Sequence, residues 1–171
     1  EQLPPPAATG LTDYTCGNNF VTNAPRVNSL GYSNLIVNGG KLESNAGGVS
    51  MSAPLNTAVG GPFDAYLNGG LVGKDNTTLY LSFLFKMNGT GTSSAQNYLG
   101  LFNGAASVFN MGQTWNSANF VADSSLGVPI DLNTHLFVVK IAFKATDTIT
   151  VYFDPDISLA EASQTVDKTV N

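Results

Sequence analysis

"THLFVVKIAFKATDTITVYFDPD", residues 134–156, is the stretch that decides the fold. Phe137, Val139, Ile141 and Phe143 fall on one side of an extended chain, with Lys140 and Lys144 on the other. After Ala145–Thr148 the alternation resumes as Ile149, Val151 and Phe153, set against Thr150, Tyr152 and Asp154. A period of two with one apolar and one polar side marks strands that bury one face. The segment therefore reads as a long hairpin with one face in a core and the other in water.

Working outward, short strand signals alternate with turn residues. "TLYLSFLFKMN" puts Leu79, Leu81, Phe83, Phe85 and Met87 on one side and Tyr80, Ser82 and Lys86 on the other, with Leu84 as an exception. "NYLGLFNGAASVFNMGQ" gives Leu99 and Leu101, an Asn103-Gly104 turn, then Phe109 and Met111. "NLIVNGGKLES" places Asn38-Gly39-Gly40 between two more apolar runs, a hairpin signal because these residues accept positive φ. "GVSMSA" sets Val49 and Met51 on one face. Helical periodicity is nearly absent; "SLAEASQTVD" (158–167) could wind a turn or two from Ser158 as N-cap, with Glu161 three residues on. Short strands at regular spacing predict an all-β, antiparallel sandwich or barrel. Phe83, Phe85, Val139, Ile141, Phe143, Val151 and Phe153 are its expected core.

Composition narrows the classes. The 171 residues fit one domain, read as a proline-rich arm over residues 1–12 followed by a body over 13–171. Charged side chains make up 11%, against about 25% in an average domain. Asn, Ser, Thr and 18 glycines take their place. With a net charge of −5 and seven scattered basic residues, the chain has no basic patch for nucleic acid. No apolar run approaches the roughly 20 residues of a membrane span. The sequence begins at Glu1 like a processed product, carries sequons at Asn76 and Asn88, and is expected to be secreted or displayed at a cell surface. Cys16 is the lone cysteine, so an internal disulfide is excluded; a buried, inert thiol or an intermolecular bridge remain.

In this order, "GGKLESNAGGVSM", "NTTLYLSFLFKMN", "NYLGLFNG" and "HLFVVKIAFKATDTITVYFDPD" resemble a LamG-like, concanavalin A-like jelly-roll domain of secreted bacterial proteins, over roughly residues 30–156. The resemblance implies an antiparallel jelly-roll β-sandwich and says little about function. It departs at the C-terminus. Such domains close the long hairpin with a further strand carrying an "FDE(L/I)RI"-type phrase, and "SQTVDKTVN" carries none. The last strand is then degenerate, cut away, or supplied by another chain.

Reactive chemistry is sparse. The family's glycoside hydrolases resemble one another in a strand with E-x-D-x-x-E, whose paired carboxylates act as nucleophile and acid. Here Glu1, Glu43 and Glu161 stand far apart, and no catalytic residue is assigned. His135 is the only histidine, with no nucleophile elbow, and reads as a structural residue at a strand edge, hydrogen-bonded to backbone. Calcium stays open as a cofactor, because jelly-roll modules of this kind hold it at a rim through hard oxygen ligands. Asp154 with Asp156, or Asp64 with Asn68, would supply them, although no EF-hand-type loop is present.

A glycan needs less: a ring to stack and amides to bond hydroxyls. Trp115, the only tryptophan, sits in "GQTWNSANF" beside Gln113, Asn116 and Asn119, with Tyr98 and Tyr66 as companions. Tryptophan is heavily buried on average, so a core plug is its ordinary role. The expectation is a non-catalytic recognition or adhesion module for polysaccharide or a cell-surface polymer. Its rival is a filament or surface-layer subunit that self-associates when the N-terminal arm adds a strand to a neighbour.

Overall fold

The structure is a computed structural model that describes residues 30–33, 35, 54–87 and 96–171, together with the backbone at 15–16 and 51–52. The arm, the Asn38-Gly39-Gly40 hairpin, Glu43 and Asn88 lie outside the described residues, as does the side chain of Cys16. The described residues are all-β, with 52% in strands and 5% in helix. No helix among them is long and apolar enough to cross a membrane.

Among the described residues twelve strands run in chain order: β1 (Thr15–Cys16), β2 (Met51–Ser52), β3 (Leu67–Asn68), β4 (Leu71–Val72), β5 (Thr77–Lys86), β6 (Asn97–Asn103), β7 (Ala106–Gln113), β8 (Asn119–Ala122), β9 (Ser124–Pro129), β10 (Thr134–Phe143), β11 (Thr148–Phe153) and β12 (Lys168–Val170). The chain divides into two compact units. One comprises Gly31–Leu35, Leu79–Ile141 and Thr148–Asn171; the other comprises Glu1–Leu30, Ile36–Thr78 and Ala142–Asp147.

The first unit holds the four-stranded sheets β12-β11-β10-β5 and β6-β7-β8-β9. The second of these is a plain meander, because each connection is only a few residues long and antiparallel neighbours need no more. Leu99 pairs with Met111 and Leu101 with Phe109, as the alternation in that stretch predicts. Rings from both sheets meet at Phe137, which stacks on Phe83 at 5.1 Å and takes Phe85, Phe120 and Phe153 edge-on at 4.9–6.4 Å. Val139, Ile141 and Val151 are buried alongside. This is sandwich-like packing, with apolar faces of two sheets turned inward. Lys168 Nζ on β12 donates to Ser124 Oγ on β9 at 2.6 Å, tying one sheet to the other along an edge.

Two expectations change here. "SLAEASQTVD" forms only a 3₁₀ turn at Glu161–Ser163 with no side-chain cap, and Ser158 bonds Asp156 instead. The expected gap after the long hairpin is filled by β12, which pairs Val170 with Ile149 and Lys168 with Val151. It escapes notice because it is three residues long and completed by a side chain: Asp167 Oδ2 accepts the Phe153 N–H at 2.7 Å.

In the other unit, β1 pairs with β2 and β3 with β4, both antiparallel. Phe143 is buried there, its ring beside Gly73, whose φ of +147° favours glycine. The Asn76 N–H donates to the Phe143 carbonyl at 2.8 Å. Asn76 itself is an exposed turn residue at φ +64°.

Candidate functional site

Among the described residues three constellations carry polar or aromatic chemistry, all within the unit formed by Gly31–Leu35, Leu79–Ile141 and Thr148–Asn171. The first surrounds His135 at the start of β10. Its Nδ1 lies 2.6 Å from Asp154 Oδ2 and its Nε2 lies 2.8 Å from Asp131 Oδ1, an arrangement in which the protonated ring donates to a carboxylate from each nitrogen. Burial opposes that charge, but the hydrogen bonds to Asp154 and Asp131 outweigh it and raise the His135 pKa. Asp131 is held below the usual carboxylate range by His135 first and by the Asn133 N–H second. The ring stacks on Phe153 at 4.8 Å, meets Phe120 edge-on at 4.7 Å, and the residue is only 6% exposed. Contrary to the sequence expectation, the partners of His135 are carboxylates rather than backbone, and it sits inside the core rather than on a rim. Asp154, at φ +51°, also accepts the Leu136 N–H through Oδ1 at 2.8 Å. Next to it, the Tyr32 hydroxyl donates to the Pro155 carbonyl at 3.3 Å; burial and then the Asp154 charge push the Tyr32 pKa up.

That geometry bears on the calcium ligands expected from sequence. Both Asp154 oxygens already accept hydrogen bonds, and Asp156 Oδ1 accepts the Ser158 N–H and hydroxyl at 2.9 and 2.6 Å. Among the described residues no group of three or more His, Cys, Asp and Glu is arranged to hold a metal.

The second constellation lies on the opposite side of β10. Glu161 receives Lys140 Nζ at 2.6 Å, Tyr80 Oη at 2.7 Å and Tyr152 Oη at 2.9 Å. Three adjacent strands thus converge on one carboxylate, whose pKa falls to about 2 because Lys140, then Tyr80 and Tyr152, hydrogen-bond its charged form. Ala160, Ala162, Gln164 and Val166 complete a shallow depression of about 660 Å³ around it. The segment after β11 therefore covers part of the face expected to be wet, and Tyr152 is buried.

The third is the β7–β8 turn. Trp115 is 56% exposed, so the core-plug role is excluded. The turn closes through the Ser117 N–H on the Thr114 carbonyl at 3.1 Å, with Asn116 at φ +57°. Ser117 Oγ donates to the Asn119 carbonyl at 2.5 Å, and Asn119 Nδ2 donates to Ser125 Oγ at 3.2 Å, bracing the turn against β9. Trp115 and Asn116 are thus displayed together, while Asn119 is a half-buried brace. Tyr98, 40% exposed, stands on β6 opposite Gly112, near the end of the strand that leads into this turn. Gln113 does not join them. It continues the inward-facing series of Phe109 and Met111 and is 0% exposed, so it lies apart from the displayed Trp115 and Asn116. Phe102, 54% exposed, was missed from sequence, although Tyr98-x-Gly100-x-Phe102 against Leu99 and Leu101 encodes its outward side.

Comparison of the chain with protein-family models, curated proteins and solved structures returns no match.

Proposed function

We propose that the protein is a non-catalytic recognition module of the extracellular space that binds polysaccharide or a cell-surface polymer, with the Trp115 turn as its contact point. The observation carrying this reading is the exposed indole, on a turn whose backbone is fixed by its own hydrogen bonds. A large apolar ring left in water at a rigid tip costs solubility and gains nothing for the core. Placed against the apolar face of a sugar ring, it loses little entropy on binding, because the turn is already ordered. Asn116 beside it offers a neutral donor and acceptor for hydroxyls.

The same geometry favours binding over catalysis. The Glu161 carboxylate is occupied by Lys140, Tyr80 and Tyr152, and a retaining glycosidase needs a second carboxylate about 5–5.5 Å away. The acidic groups around His135 are engaged by its two ring nitrogens. The jelly-roll, LamG-like assignment belongs to the proposal too. It is supported by β5 and β10 being neighbours in one sheet while the four strands between them in sequence form the other.

The test is retention on insoluble polysaccharides. Trp115→Ala should lose retention while its denaturation midpoint stays that of the parent protein, because the side chain is mostly in water. Undiminished retention, or a collapsed fold, would remove Trp115 from the ligand surface.

A further inference from the structure

Resting on that recognition reading, we infer that the outward face of the β6–β7 hairpin is a second contact platform, built from Phe102 and Tyr98, and that the polymer it accepts is uncharged. The first observation is how Phe102 lies. A Cβ built on Gly100 would fall 2.5 Å from Phe102 Cε2 and 3.1 Å from its Cζ, so the ring lies back along β6 over the glycine backbone. Asn110 Oδ1, from the residue paired with Gly100, would be 2.9 Å from the same Cβ and flanks the ring. Covering a strand glycine with an aromatic ring is a known way to protect it. Here the ring still keeps 54% of its surface exposed, so one side rests on backbone and the other is open to water. Tyr98, two residues before Gly100, projects from the same side of the strand. Two exposed rings along one strand suit an extended ligand running beside it.

The second observation is charge. From Met87 to Ala122, through the whole β6–β7 hairpin and the Trp115 turn, no residue is ionisable as an acid or a base except the Tyr98 phenol. Besides Tyr98 and the buried Gln113, the polar side chains of these two strands are Asn97, Asn103, Ser107 and Asn110, all neutral, and Ser107 Oγ donates to Asn110 Oδ1 at 3.1 Å. Within residues 87–122 an acidic polymer finds no cation to pair with, and a basic one finds no carboxylate. A polyol finds both of its requirements: flat apolar area, and amides that donate and accept. The occupant is a neutral polysaccharide chain.

The experiment uses the whole protein on microcrystalline cellulose, granular starch and insoluble mannan, with pectate and heparin resins as charged counterparts. We expect retention on a neutral polymer that survives about 1 M salt, since no screened charge pair is involved. Phe102→Ala and Tyr98→Ala should each weaken it at least about tenfold, as loss of a central aromatic contact does. Phe102→Tyr should retain it. Gly100→Ala supplies the sharpest arm: its φ is ordinary, and the methyl group collides with the flexible end of Phe102, so the ring shifts while remaining present. It should bind as weakly as Phe102→Ala with the far-ultraviolet spectrum of the parent.

If Trp115→Ala abolishes retention but the Phe102, Tyr98 and Gly100 variants bind like the parent, the platform is refuted and the recognition module stands. Retention confined to pectate or heparin refutes the neutral-ligand assignment. No retention on any resin refutes both readings. A Phe102-dependent dimer in sedimentation would assign the face to a second copy of the chain instead.

Discussion

His135 couples three separate pieces of chain: its own strand, Asp131 from the loop after β9, and Asp154 from the end of β11. Hydrogen bonds to Asp131 and Asp154 favour the charged ring, and Phe153 stacked on it and Phe120 edge-on to it help bury it. The raised folded-state pKa sets the sign of a pH effect. Its stabilising contribution is complete below the unfolded value of about 6.5 and is lost as pH climbs through the higher folded value. Asp131 works in the other direction, contributing above its unfolded value of about 3.9 and losing that contribution on acidification. Chemical denaturation of the parent protein should therefore show stability falling above neutrality. His135→Gln should flatten that slope and cost about 1.5–3 kcal/mol at pH 6, the worth of hydrogen bonds to a charged group. An equal alkaline slope in both proteins would separate the effect from His135. The place of His135 on a strand was legible in sequence, and its partners were not. Asp131 and Asp154 lie on either side of the hairpin in the chain, and only the pairing of β10 with β11 brings them to one ring.

At the level of the element, the reading of residues 134–153 held because period-two alternation is a direct record of which side of a strand is buried. His135, Phe137, Val139, Ile141 and Phe143 are all buried at alternate positions of β10. Phe137→Ala should cost about 3–5 kcal/mol, since it deletes the ring on which four others pack. Alternation fails for Tyr152, whose outward side is covered by a segment distant in pattern though near in sequence. It fails for β12 as well, where three residues leave no period to detect. The β6–β7 register has its own control point at Gly112. With φ +127°, a Cβ there would stand 2.5 Å from the Asn97 carbonyl oxygen and 3.0 Å from Tyr98 Cα, both backbone atoms that cannot yield cheaply. Gly112→Ala should destabilise the protein by more than about 1 kcal/mol, read from chemical denaturation, through strain and overpacking together. Gly100→Ala, which meets only side-chain ends, should cost less. Reversal of that order would mean that β6 pairs differently.

Across the whole unit, Glu161 fastens the chain after β11 to β5, β10 and β11 at once. Because its pKa is depressed to about 2, this fastening is fully present above the unfolded carboxyl value of about 4.3 and fades only as pH falls through about 2. Glu161→Gln should speed hydrogen exchange across residues 154–170 while leaving β6–β8 protected. Uniform acceleration of the two sheets would show that the carboxylate supports the entire core.

The short strand at the C-terminus carries a further meaning. β11 reads "TITVYF": β-branched and aromatic, uncharged, free of proline and glycine. Such hexamers are the kind that stack into cross-β spines when their backbone edge is open. β12, together with the Asp167 carboxylate on the Phe153 amide, occupies that edge, so the backbone of this hexamer is paired rather than open. Removing residues 167–171 should leave the hairpin intact and bring on thioflavin-positive fibrils after a lag. Placing a lysine at Thr150 in the same truncated chain should lengthen that lag again.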